Sequence, residues 1–250
     1  MTGDVQTSVH DGVHTLRFNR PQKKHALTRA MYAALADAIK AGEAGDAVGA
    51  HLFLGSPGIF TAGNDLSDFA DLEAVSAPRA PVLAFLEALI LTRKPVLAAV
   101  DGLAAGIGPT LLLHCDLVYA SPAARLSTPF VDLGLVPEAA SSLLLPQRCG
   151  HPIAFELLCL GKSFDAGRAQ AAGLINEIVP AEQLEETASA AAIALARKPR
   201  EALLQSRRLL RGDTEAICQR MREEFTLFAE RLRSPEARAA IGTFLNKRRG

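Results

Sequence analysis

The chain has 250 residues, 49% hydrophobic and 22% charged, which is enough apolar material for one sizeable core. Basic and acidic residues number 27 each, so the formal net charge is zero, which argues against a global field for nucleic acid or an anionic membrane. Cys115, Cys149, Cys159 and Cys218 are scattered without metal-ligand spacing, so the reading is reduced thiols and no metal site.

Residues 1–10 carry no apolar stretch of the signal-peptide kind. Residues 5–18 then alternate apolar and polar around Asp11-Gly12, predicting a hairpin. Residues 28–40 (TRAMYAALADAIK) predict a helix with Thr28 as N-cap. A short strand over 50–54 (AHLFL) leads into a turn-rich loop, 55–65. Residues 81–91 are apolar and helical, and Lys94-Pro95 stops them. Residues 95–100 are a buried strand by composition. Asp101-Gly102 breaks this longest apolar run well short of a membrane span, so a soluble, cytoplasmic protein is expected. A glycine-containing stretch (102–108), a helix (111–114) and a strand (117–120) follow. Strand, loop, helix and strand recur, the pattern of an α/β core with its sites on loops at strand ends. After about Glu182 the chain reads as helical, over 182–197, 200–210, 214–233 and 235–247. The expected division is a core over 1–190 and a helical C-terminal region over 191–250.

Two stretches carry a family resemblance. Ile59-Phe60-Thr61-Ala62-Gly63-Asn64-Asp65-Leu66 resembles the F-x-A-G-x-D-L/I loop of the enoyl-CoA hydratase/isomerase (crotonase) superfamily. Lys94 to Gly108 (KPVLAAVDGLAAGIG) resembles that family's K-P-x-I/V-A-A-V-x-G-x-A-x-G-x-G segment, and Cys115-Asp116 matches its C-D pair. Asn19-Arg20-Pro21 and Ala26-Leu27 match its N-R-P-x-x-x-N-A-L, with His25 where asparagine is usual. The resemblance implies an α/β spiral of ββα units with C-terminal helices that assemble trimers or pairs of trimers. It also implies a CoA thioester substrate, no cofactor, and an oxyanion hole of two backbone N–H groups at Ala62 and Ile107.

Such a hole suits enolate chemistry. Taking a proton from beside a thioester carbonyl leaves charge on the oxygen, and preorganised donors there are worth about 2.7–4 kcal/mol each. Gly63, Gly106 and Gly108 permit the close approaches this needs, and Pro109 stands where a helix would begin. Ile107 puts a branched side chain where hydratases of the family commonly have glycine.

The reaction turns on the base. Hydratases of the family activate water with two glutamates, and the matching positions here are Thr110 and Phe130. Residues 128–142 (TPFVDLGLVPEAASS) resemble instead the T-P-F-x-x-L-G-x-x-x-E-G-x-S/T-S/T stretch of the peroxisomal-type 3-enoyl-CoA to 2-enoyl-CoA isomerases. In that subgroup one glutamate, matching Glu138, takes a proton from C2 and returns it at C4. A useful base needs its pKa raised by an apolar wall, which Phe130, Leu135 and Val136 could supply. Asp132 reads as a solvated or capping residue, and His114 as a packed helix residue. For the CoA end, Lys23, Lys24, Phe244 and Lys247 match positions that contact the nucleotide. With Ala62, Gly63, Asn64, Asp65, Gly106 and Phe130 they complete the expected substrate-binding set. Three readings stand: an isomerase first, a hydratase or other crotonase reaction second, and a catalytically silent acyl-CoA-binding protein third.

Overall fold

The computed structural model describes residues 3–70 and 80–247. Its strands are β1 (Val5–His10), β2 (Val13–Phe18), β3 (Ala50–Leu54), β4 (Ile59–Thr61), β5 (Val96–Val100), β6 (Leu103–Ala105), β7 (Leu117–Ala120), β8 (Arg125–Ser127), β9 (Phe164–Asp165) and β10 (Glu177–Ile178). They form a six-stranded sheet in the order β1-β2-β3-β5-β7-β10 and a four-stranded sheet in the order β4-β6-β8-β9. Only β1 with β2 and β8 with β9 pair antiparallel.

The helices are α1 (Arg29–Ala44), α2 (Pro81–Leu91), α3 (Ile107–Leu112), α4 (Ser141–Cys149), α5 (His151–Leu158), α6 (Ala166–Ala171), α7 (Leu184–Ala196), α8 (Arg200–Arg211), α9 (Thr214–Arg233) and α10 (Pro235–Lys247). Each of β3, β5 and β7 is followed at once by a strand of the smaller sheet, and α2 and α3 carry the chain back to the larger one. That repeat of two strands and a helix is the expected α/β spiral. No helix among the described residues is long and apolar enough to cross a membrane.

Local chemistry explains the elements. Thr28 is extended, and its hydroxyl accepts the Met31 N–H, as expected of an N-cap. α1 buries Met31, Tyr32, Leu35, Ala36 and Ile39 at helical spacing. β3 and β5 are buried at every position, because α7 covers one face of the large sheet and the main core cluster, with residues of α1, α2 and the small sheet, covers the other. The short helix expected over 111–114 begins earlier, at Ile107, and ends at Leu112. Residues 55–65 and 102–108, expected as loops, contain β4 and β6. Three residues are too few to show a period of two, so pairing with neighbouring strands decides these segments. Position 190, the expected division, lies inside α7, whose Leu184, Ala188 and Ala192 pack on Leu52, Leu97 and Ala99 of the large sheet.

Candidate active site

The loop after β4 and the turn after β6 meet at two glycines. Gly63 has φ +92°, and a Cβ there would stand 3.0 Å from the Ala105 carbonyl oxygen and 3.6 Å from the Gly106 Cα. Gly106 itself has φ +57° and is the N-cap of α3. Left-handed backbone and contact this close both call for glycine. His25 pins the loop from beneath, itself at φ 52°. Its Nδ1 accepts the Arg20 N–H at 2.9 Å, so Nε2 carries the proton to Ser56 Oγ at 2.7 Å. Its carbonyl accepts the Thr61 hydroxyl.

Most amides at these turns are already engaged. The Ala62 N–H donates to the Lys24 carbonyl at 2.9 Å, so it cannot serve an oxyanion as expected. The Gly63 N–H goes to Thr61 Oγ1, the Asp65 N–H to the Leu27 carbonyl and the Gly106 N–H to the Ser127 carbonyl. The N–H groups of Asn64 and Ile107 have no acceptor among the described residues. The bridge between Leu27 and Asn64 engages the Gly63 carbonyl and the Asp65 N–H and leaves the amide of Asn64 facing the other way. The Ile107 side chain is fully buried in the main core cluster, so it does not crowd the site as expected.

A cavity opens beside these turns, lined by Leu27, Tyr32, Asn64, Asp65, Leu86, Glu138, Met221, Phe225 and Phe228. Glu138 precedes α4 and is 8% exposed. Its Oε1 accepts the Thr110 hydroxyl at 2.6 Å. Burial pushes its carboxyl up to about 8, the Thr110 hydrogen bond opposes this, and the charge of Glu224 adds to it. Ala139 and Ala140, at φ 60° and 57°, form a left-handed corner that turns the chain from Glu138 into α4. On one side His114 Nε2 donates to the Ala139 carbonyl at 2.8 Å, and burial holds that imidazole neutral, down to about 3.

The other expected residues divide. Arg20 donates to Asp65 Oδ2 at 2.6 Å. Burial raises the Asp65 carboxyl, but the Ser67 hydroxyl and then Arg20 outweigh it and hold it below the usual carboxylate range. Phe130 and Leu135 pack in the core, and Val136 packs partly buried against it, none of them on the cavity. Asp132 is exposed and away from it. Lys23 and Lys24 are exposed, on the turn whose Lys24 carbonyl holds the site loop. Phe244 packs against the core from α10, and the side chain of Lys247 lies outside the described residues.

Several contributors were not foreseen. The Tyr32 hydroxyl donates to Asn64 Oδ1, and burial, with Glu138 and Asp68 nearby, pushes its own pKa well up. Met221, Phe225 and Phe228 come from α9 at spacings of three and four. That spacing is legible as one apolar stripe, but not as a wall of this cavity.

The family model described as enoyl-CoA hydratase/isomerase matches residues 8–250. The chain belongs to that family. Enoyl-CoA delta isomerase 2 of Homo sapiens is 34% identical over 245 residues, covering 95% of this chain and 62% of that protein. The chain thus spans less than two thirds of the length of that isomerase. A probable enoyl-CoA hydratase of Rhizobium meliloti is 32% identical over 246 residues, with 98% and 95% covered. Among solved structures, Pseudomonas aeruginosa OdaA is 44% identical with a TM-score of 0.92, covering 97% of this chain and 98% of that one. An enoyl-CoA hydratase/isomerase from Pseudoalteromonas atlantica T6c is 39% identical with a TM-score of 0.93, covering 98% of each. The fold of that family follows, and both an isomerase and a probable hydratase are named among relatives of similar identity.

Proposed function

We propose that this enzyme isomerises 3-enoyl-CoA to 2-enoyl-CoA. Glu138 takes a proton from C2, giving a thioester enolate, and returns it at C4 as the double bond moves. The carboxylate takes up the C2 proton and gives one up to C4, so it is regenerated with no second carboxylate and no water consumed. The N–H groups of Asn64 and Ile107 receive the enolate oxygen, which needs donors already in place when charge develops.

One observation carries the reading: the buried Glu138 carboxyl, raised to about 8, lines the cavity, while the two positions at which the family's hydratases hold glutamates carry the Thr110 hydroxyl and the packed Phe130 ring. A carboxyl of that acidity exchanges protons near neutral pH in both directions. The apolar lining from α1, α2 and α9 supports an acyl chain. Exposed Lys23 and Lys24 support the phosphates of CoA at the mouth. Leu209 and Leu210 of α8, 79% and 88% exposed, support packing against further copies in a trimer or a pair of trimers.

The test supplies purified protein separately with 3-hexenoyl-CoA and crotonyl-CoA. Conversion of the first alone is expected. Hydration of crotonyl-CoA would establish the hydratase reading, and silence with tight CoA binding the third one. Glu138→Gln should lower isomerase turnover by roughly three orders of magnitude or more while acyl-CoA binding persists. Undiminished turnover removes Glu138 from the chemistry.

A further inference from the structure

Glu224 lies on α9, the helix whose Met221, Phe225 and Phe228 wall the cavity. It is 5% exposed. Its Oε1 accepts the Ser142 N–H at 2.9 Å in the first turn of α4, and its Oε2 has no hydrogen-bond partner among the described residues. Arg220, one turn earlier, bonds Glu223 and Ser142 Oγ rather than Glu224. The Ser142 and Ala140 hydrogen bonds and the nearby Arg220 charge favour the ionised form, yet burial outweighs them, and a neutral amide would receive the Ser142 N–H as well. A carboxyl at this place therefore asks for an explanation beyond capping.

The neighbouring backbone supplies one. The Ser141 N–H donates to the Glu138 carbonyl at 3.1 Å, and the next amide, that of Ser142, goes to Glu224. Between them Ala139 and Ala140 hold left-handed backbone, which L residues keep only when their surroundings impose it. His114 imposes it from one side and Glu224 from the other.

We propose that Glu224 is a positioning residue for Glu138: it holds the corner that aims the Glu138 carboxyl into the cavity and sets a second buried carboxyl behind that corner. The inference rests on the assignment of Glu138 as the proton carrier. Glu138 faces Thr110 from α3, Tyr32 from α1 and Glu224 from α9, with Arg29, Asp65 and Asp68 around the same cavity. Glu224 faces the amides of α4, Glu138, and Arg220 on its own helix. Burial raises the pKa of both carboxyls, and for Glu138 the charge of Glu224 adds to the rise.

The experiment compares Glu224→Gln and Glu224→Ala with the parent enzyme on 3-hexenoyl-CoA over pH 5–9. An infrared titration of the Glu138 carboxyl, identified by its loss in Glu138→Gln, runs in parallel without substrate. Glutamine keeps the acceptor for Ser142 but not the charge. It is expected to retain the plateau kcat within about threefold and to move the acid limb of kcat/KM roughly one pH unit lower. The infrared midpoint should move equally. Alanine is expected to lose roughly tenfold or more in kcat with KM nearly unchanged, because the corner loosens. A Gln variant with the parental infrared midpoint overturns the proposal. That readout needs no turnover, so it still decides if 3-hexenoyl-CoA proves not to be a substrate, a result that would sink only the isomerase assignment.

Discussion

The Thr110 hydroxyl donates to Glu138 Oε1 at 2.6 Å across 28 residues of chain, joining the first buried turn of α3 to the residue ahead of α4. The position at which the family's hydratases hold a carboxylate thus serves here as a donor to the remaining one. A hydrogen bond to the charged form stabilises that form, so this contact works against burial. Thr110→Val removes it without adding bulk. Glu138 should then hold its proton more tightly, and the acid limb of kcat/KM should move about one to two pH units higher. The pH profile of 3-hexenoyl-CoA conversion measures this, and a limb that stays in place would show the hydroxyl to be idle.

Glu138 also weighs on stability. Its folded value of about 8 lies above the ordinary 4.5. Below pH 4.5 both folded and unfolded forms are protonated, and no penalty exists. As pH rises toward 8 the unfolded chain releases its proton while the folded one retains it, so stability falls. Glu138→Gln should therefore be more stable than the parent at pH 8, by an amount on the order of a few kcal/mol, and indistinguishable from it near pH 4. Urea unfolding at the two pH values reads the difference. Equal stability at pH 8 contradicts the burial argument.

Tyr32 bears on the site through Asn64. Its hydroxyl is the donor to Asn64 Oδ1, and both residues line the cavity. Tyr32→Phe leaves that oxygen without its donor and frees the side chain of the residue whose amide is proposed to receive the enolate oxygen. A loss of roughly fivefold in kcat, with KM little changed, corresponds to about 1 kcal/mol of lost orientation. Steady-state kinetics on 3-hexenoyl-CoA decides, and a pure KM effect would assign Tyr32 to acyl binding instead.

Acid should act through buried histidines, His51 away from the cavity and His114 behind the Glu138 corner. His14 Nδ1 and His51 Nδ1 stand 3.3 Å apart between β2 and β3, and His51 is fully buried. Burial, then His14 and Lys94, brings His51 down to about 3, and burial brings His114 to a similar value. The unfolded chain binds protons on these rings near 6.5 while the folded chain refuses them. Their stabilising effect is therefore complete above about pH 6.5 and shrinks as pH falls toward 3, by about 1.4 kcal/mol per pH unit per ring. The Glu138→Gln background isolates this slope from the opposite one of Glu138. In that background Tm should drop between pH 6.5 and 5, and His51→Gln should flatten the drop. A level Tm across that interval would refute it.

Much of this architecture was legible because its signals are local. The Thr28 cap, the alternation in β1 and β2 and the apolar runs of β3 and β5 each lie within one segment. β4, β6 and β8 are three residues long and owe their form to pairing, which no single segment reveals. The site loop was recognisable from its motif, yet the choice between Ala62 and Asn64 depends on which carbonyl absorbs each amide, and those carbonyls belong to residues 24 and 27. Thr110 read as a missing acid, while its bond to Glu138 depends on a corner formed 28 residues later. Glu224 gave no signal among neighbouring charged residues of an amphipathic helix, because its environment is assembled by α4.

The cavity draws its walls from residues 27–86, its carboxyl from residue 138 and its far side from residues 221–228. Until α9 docks against α2 and α4, Glu138 therefore lacks one wall of its surroundings and is more open to water. Because burial is the largest cause of its raised pKa, the proton affinity of this residue depends on a helix about 80 residues further along the chain.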